Sequence, residues 1–197
     1  MRNLLVGASV LVLLATSPGA HAASALETLK TDVNNVLAVL RDPTLKVPSA
    51  TRLREERVRT VAEPMFDELE LSRRSLARNW ERLNPDQQRK FVKLFRQVLE
   101  KAYMDRVLSY TDQQIVFDRE IALSQDRAEV ETRIISSSNQ VPVTYRLLLK
   151  DGTWKVYDVV IEGVSLVQNY RSQFNQILAK DSPRQMLAIL QKKVGEK

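Results

Sequence analysis

One dipeptide between two alternating runs constrains the fold of this chain more than any other feature. Asp151-Gly152 separates VPVTYRLLLK from TWKVYDVVI. Upstream of it, Val143, Tyr145, Leu147 and Leu149 fall on one side, and Thr144, Arg146 and Lys150 on the other. Downstream, Trp154, Val156 and Val160 recur at spacings of two and four. Asp and Gly tolerate the positive φ that both positions of a tight hairpin turn require, so the stretch reads as a β-hairpin. A two-residue turn sets Leu149 opposite Trp154, Leu147 opposite Val156 and Val143 opposite Val160. That arrangement makes one continuous apolar face. The same register sets Tyr145 opposite Asp158.

The period then changes. Glu162-Gly163 breaks the strand and Ser165 suits a helix cap. Leu166, Val167, Tyr170, Phe174, Ile177 and Leu178 follow at helical spacing. An apolar sheet face followed by an apolar helix face must enclose something, either side chains alone or side chains around a ligand. A filled core and a lined cavity have the same sequence pattern.

The rest of the chain supplies the covering layer. Leu26, Leu29, Val33, Val36, Leu37 and Leu40 form one helical stripe, which ends at Asp42-Pro43. Thr51 suits the cap of a second, charge-rich helix that Pro64 stops. Asp67 suits the cap of a third, which carries Leu71, Leu76 and Trp80. Asn84-Pro85-Asp86-Gln87 is a strong start for the longest helix, because Asn and Gln cap reciprocally and Pro is tolerated in the first turn. Beyond Tyr110 the pattern turns to strands around Ile115 to Ile121 and Ala128 to Ile134. Ser182-Pro183-Arg184-Gln185 opens a closing helix. Helices, then four strands, then two helices read as α+β, with helices packed on a curved antiparallel sheet of about four strands. By analogy, such a sheet can form a cone of the nuclear transport factor 2-like kind enclosing an apolar cavity.

Composition narrows the chemistry. Arg2, an apolar run from Leu4 to Ala15 and Ala20-His21-Ala22 have the form of a signal peptide cleaved after Ala22. The run is too short to span a bilayer. With no Cys in the chain, a lipoprotein anchor is not expected, and a retained N-terminal anchor is the alternative to a soluble secreted protein. The expected domains are a signal peptide over 1–22 and a single working domain over 23–197. Cleavage removes His21, the only histidine. Ser-His-Asp triads, Cys nucleophiles, His or Cys zinc sites and CxxC motifs are then all excluded. Only Gly152, Gly163 and Gly195 remain, so Gly-rich phosphate loops are excluded too.

Some motifs extend beyond what periodicity explains. Tyr157-Asp158-Val159, Glu162-Gly163-Val164-Ser165-Leu166 and Asn169-Tyr170-Arg171 together resemble the MlaC, or toluene-tolerance, family. Asn84-Pro85-Asp86-Gln87-Gln88 through Phe91 and Phe95 to Tyr103 is similar to that family's long helix, and Arg73 to Trp80 to the segment before it. The resemblance covers roughly Thr51 to Leu190. One departure is Ala77, near where some members carry glycine.

The resemblance implies a periplasmic phospholipid carrier with no enzymatic activity, no metal and no cofactor, the lipid being its cargo. Its implied partners are an inner-membrane ABC transporter with an MCE-domain subunit and an outer-membrane lipoprotein–porin complex. The implied role is maintenance of outer-membrane lipid asymmetry, by a monomer that binds no nucleic acid. A diacyl lipid exposes roughly 30 methylenes, so holding its tails in water costs on the order of 20 kcal/mol. A carrier must therefore cover them. Candidate pocket residues from the long helix are Phe95, Val98, Leu99 and Tyr103. From the sheet they are Phe117, Val130, Ile134, Val143, Tyr145, Leu147, Val156 and Val160. From the closing segment they are Val164, Tyr170 and Phe174.

Two other readings stay open on the residues. Tyr145 and Asp158 facing each other in a cavity could be a catalytic pair, as in cone-shaped isomerases, or two buried polar groups satisfying one another. The basic residues Arg52, Arg54, Arg57, Arg59, Arg73, Arg74 and Arg78 suit an anionic membrane surface, an acidic docking patch or plain solvation. The sheet or these basic helices also suit a periplasmic adaptor that binds protein and no lipid. Arg171, with Asn169 near a pocket mouth, suits a phosphate or a salt bridge.

Overall fold

The computed structural model describes residues 23–110 and 112–195. The expected signal peptide, residues 1–22, lies outside the described residues. Helices α1 (Ala25–Arg41), α2 (Thr51–Ala62), α3 (Glu68–Leu76) and α4 (Pro85–Leu108) come first. Strands β1 (Gln114–Ala122), β2 (Arg127–Ile135), β3 (Gln140–Lys150), β4 (Thr153–Ile161) and β5 (Val164–Ser165) follow. Helices α5 (Leu166–Leu178) and α6 (Pro183–Gly195) close the described chain. The class is α+β, as the sequence predicts. The sheet is an antiparallel meander in the order β1-β2-β3-β4-β5, with five strands and not four. The additional strand arises at Glu162-Gly163. These residues take φ of 50° and 81°, closely matching Asp151 at 50° and Gly152 at 77°. What reads as a strand end is therefore a second tight turn, and it folds Val164-Ser165 back onto Val160-Ile161.

The main hairpin starts in the expected register and then leaves it. Leu149 pairs with Trp154 and Leu147 with Val156, but the next pair is Arg146 with Asp158. Tyr157 is an extra residue on β4, a β-bulge. Beyond it Tyr145 meets Val159, Thr144 meets Val160 and Val143 meets Ile161. A one-residue offset sends every later side chain to the other face. The unbulged ladder would hold Asp158 among Val130, Tyr145 and Leu147. The bulge carries it to the side of Arg146 and brings Val159 and Ile161 to the apolar side instead. The expected pairings of Val143 with Val160 and of Tyr145 with Asp158 are corrected accordingly. A second bulge, at Asp118, bends β1.

Two cores result, and α4 runs through both. Its start is fastened by a reciprocal cap. The Asn84 side chain accepts from the Gln87 N–H at 2.9 Å, and the Gln87 side chain accepts from the Asn84 N–H at 3.0 Å. The first half of α4 packs with α3, α5 and α6 in a helical core built on Phe91, Phe95, Tyr170 and Phe174. Their rings meet at centroid separations of 4.9 to 5.9 Å, edge-on or offset. The last turns of α4, with Met104, Val107 and Leu108, join α1 over the sheet.

The third helix stops earlier than the sequence predicts. It ends at Leu76, and the chain continues as a 3-10 turn over Ala77–Arg82 that carries Trp80 into the helical core. Ala77 is the pivot, with φ 49° and ψ −127°. The segment before α3 has its own task. The Asp67 N–H donates to the Val156 carbonyl at 2.9 Å, and Phe66 bridges Val156 in parallel. These contacts cover part of the outer edge of β4 and join the helical layer to the sheet.

Candidate functional site: an apolar sheet face

The strand registers align one side of the sheet into rows. Ile115, Ile134 and Val141 form one row, and Phe117, Thr132, Val143 and Ile161 the next. Glu120, Val130, Tyr145 and Val159 follow, and then Ala122, Ala128, Leu147 and Val156. Helix α1 lies over this face and contributes Leu29, Val33, Leu37 and Leu40. Its N-terminus is pinned where Glu120 accepts from the Leu26 N–H at 2.8 Å and Trp154 donates to the Ala23 carbonyl at 3.0 Å.

Coverage of this face is incomplete. Val130, Leu147 and Val156 at its centre are buried. Around them Phe117, Tyr145, Val159, Met104 and Val107 are only half-buried. Ile134, Val141 and Ile161 are half-buried and belong to neither core. The helical core is different, because its aromatic cluster is closed. Apolar walls that protein does not fully cover are what an apolar ligand needs.

The polar groups on this face are few. Glu120 caps α1, and the Thr132 hydroxyl donates to the Val143 carbonyl at 2.8 Å. Tyr145 has no hydrogen-bond partner among the described residues. Burial pushes its phenol up to about 12, so it carries its proton throughout the biological pH range. Among the described residues, no group of three His, Cys, Asp or Glu side chains could hold a metal ion.

The opposite side of the sheet is polar. Salt bridges join Arg119 to Glu131 and Arg146 to Glu129, at 2.7 and 2.8 Å. A cavity of about 360 Å³ there is lined by Arg74, Glu129, Arg146, Tyr157, Asp158 and Arg171 among others. Its charged groups are already engaged. Asp158, 2 % exposed, accepts from Ser165 Oγ at 2.6 Å, the Val167 N–H at 3.1 Å and Arg146 Nη1 at 3.2 Å. Asp158 thus holds the start of α5. Arg171 donates twice to the Arg74 carbonyl, at 3.0 and 2.8 Å, and Arg74 lies 4.2 Å over the Tyr157 ring. The expected Tyr145–Asp158 pair does not form, because the two side chains leave opposite faces of the sheet.

The sequence-predicted pocket residues therefore divide. Phe117, Val130, Ile134, Val143, Tyr145, Leu147 and Val156 share the apolar face. Phe95, Val98, Tyr170 and Phe174 lie in the helical core, and Leu99 packs against it. Tyr103 is half-buried, with the Arg106 guanidinium 5.9 Å from its ring centre. Val160 is on the polar face, and Val164 in the second turn is 57 % exposed. Sequence reasoning missed the α1 stripe and Met104, Val107 and Leu108 as walls. Their helical period was visible, but nothing local said which layer each turn would meet. The basic residues of α2 are partly committed as well. Arg54 donates to the Leu40 carbonyl at 3.0 Å, and Arg59 pairs with Glu100 at 3.1 Å.

Known proteins are similar to this chain. The family model described as MlaC protein matches residues 30–192. The toluene tolerance protein ttg2D of Pseudomonas putida is 30% identical over 98 residues, which are 49% of this chain and 46% of that protein. The intermembrane phospholipid transport system binding protein MlaC of Haemophilus influenzae is 27% identical over 116 residues, 56% of this chain and 54% of that protein. The chain thus spans about half the length of these relatives in the matched segments. A phospholipid-binding protein from Ralstonia solanacearum, solved in complex with a phospholipid, superimposes with a TM-score of 0.79 at 23% identity. That match covers 87% of this chain and 97% of the other, and at such identity the likeness is one of fold.

Proposed function

We propose that this chain, which belongs to the MlaC family, is a phospholipid carrier whose acyl chains lie on the apolar face between the sheet, α1 and the end of α4. The observation that carries the reading is the incomplete cover of that face, where Phe117, Ile134, Tyr145 and Val159 stay half-buried beside a closed helical core. Covering two acyl chains offsets a hydration cost on the order of 20 kcal/mol, which an apolar wall supplies without nucleophile, metal or cofactor. The names of the relatives support phospholipid as the cargo.

In the same reading the chain is exported by a signal peptide over 1–22 and works as a monomeric domain over 23–197 in the periplasm. Among the described residues no helix is long and apolar enough to cross a membrane. Its partners are an outer-membrane lipoprotein–porin complex and the MCE-domain subunit of an inner-membrane ABC transporter. It moves lipid between them, catalyses no reaction and thereby maintains outer-membrane asymmetry. Detergent-free purification from a bacterial periplasm, followed by native mass spectrometry and lipid extraction, tests the reading. The expected result is a mass excess equal to one phospholipid per chain. A bare chain that stays bare after incubation with phospholipid vesicles would overturn it and favour an adaptor with a solid interior.

A further inference from the structure

Within the apolar face one polar group stands without a partner. Glu120 is engaged by α1, the Thr132 hydroxyl by the Val143 carbonyl and the Trp154 N–H by the Ala23 carbonyl. The Tyr145 hydroxyl has no such bond among the described residues, although it lies mid-sheet between Val130 and Val159. Among the described residues this oxygen is not one of the buried side-chain atoms left without a bond, so it keeps access to water, and a lipid that displaces that water has to replace the bond. Tyr145 is half-buried and not closed over, so such a lipid can reach it. The phenol remains protonated at neutral pH because burial opposes its ionisation. It therefore offers a donor and not an anion.

We propose that the Tyr145 hydroxyl is a specificity-determining group that donates a hydrogen bond to an acyl-ester carbonyl of the bound lipid. The inference rests on the carrier reading above. Acyl chains on the surrounding valines and isoleucines leave the ester carbonyls as the nearest strong acceptors to a donor on this face. A diester lipid satisfies the hydroxyl. A diether lipid of equal chain length has no carbonyl and leaves it weakly paired. Tyr145 thus selects ester-linked over ether-linked lipid, by a hydrogen bond and not by shape.

The test offers the exported protein an equimolar mixture of diester and diether phosphatidylglycerol vesicles of distinguishable mass, with bound lipid read by native mass spectrometry. The parent protein is expected to favour the diester by roughly three- to ten-fold, the range of one neutral hydrogen bond. Y145F is expected to take both lipids equally while still binding the diether. Its lipid-free form should melt no lower than the parent. Equal uptake by the parent, or an ester preference retained in Y145F, would overturn the assignment while leaving the carrier reading intact. A lower melting temperature of lipid-free Y145F would mean that the hydroxyl serves the protein, and would also overturn it. A parent protein that takes neither lipid would remove the carrier reading itself and this inference with it.

Discussion

At the scale of single residues, the most informative position is Ala77. Its φ of 49° with ψ of −127° lies where a Cβ is strained and glycine is not. The strain is tolerated because Trp80 and Leu83 beyond it are anchored in the helical core. Ala77→Gly should raise stability by about 1 kcal/mol, read as a higher urea midpoint with an unchanged slope. Asp67 gives the pH dependence. Burial by itself raises the pKa of its carboxyl. Hydrogen bonds from Lys150 at 2.7 Å and the Glu70 N–H at 2.9 Å outweigh that and hold it below the usual range. A depressed folded-state pKa contributes stability above the unfolded value of about 4, and this is lost as pH falls through the folded value. Asp67→Asn should lower stability at pH 7 but flatten its decline between pH 5 and pH 3, as measured by urea unfolding.

At the scale of elements, the bulge at Tyr157 decides which residues of β4 lie on the apolar face. Val160 was a pocket candidate from its spacing to Trp154 and Val156, and the offset sends it to the polar face beside Thr144. Ile134, on the apolar face and half-buried, is a better probe than buried Val143 because a carboxylate there has a path to water. Ile134→Glu should cut phospholipid occupancy severely in a folded protein, whereas Val160→Glu should leave it unchanged. Native mass spectrometry distinguishes the two, and equal loss in both variants would show that the apolar face is not the lipid wall. Polar Asp158, set among apolar neighbours in the sequence, was the one local sign that the alternation would slip.

At the scale of the whole molecule, α4 makes the two cores one unit. Phe91 and Phe95 near its start belong to the helical core, and Val107 and Leu108 near its end to the layer on the sheet. Neither core can open without disturbing the other's helix. The two tryptophans report on the two sides, Trp80 in the helical core and Trp154 against the sheet layer. Single-tryptophan variants, Trp80→Phe and Trp154→Phe, should therefore give coincident urea transitions by fluorescence. Separate midpoints would mean that the cores unfold independently.

Most of the local structure was legible in the sequence for a local reason. Turn chemistry at Asp151-Gly152, the Asn84–Gln87 cap and the periods of each run depend on residues a few positions apart, and each element formed near where they indicate. Half of the candidate site was legible too, because alternation placed Phe117, Val130, Tyr145 and Leu147 on one face. What only the tertiary structure decided was which apolar stripe meets which. Phe95 and Phe174 have the same period as Val107 and Leu37, yet the first pair closes a solid core and the second covers the sheet. Periodicity states that a face is buried and not against what, because burial is a property of two surfaces and a sequence pattern describes one. The bulge is decided in the same way. Asp158 leaves the apolar face because Arg146, Ser165 and the Val167 amide satisfy it on the other side, and those partners come together only when the sheet and α5 have met.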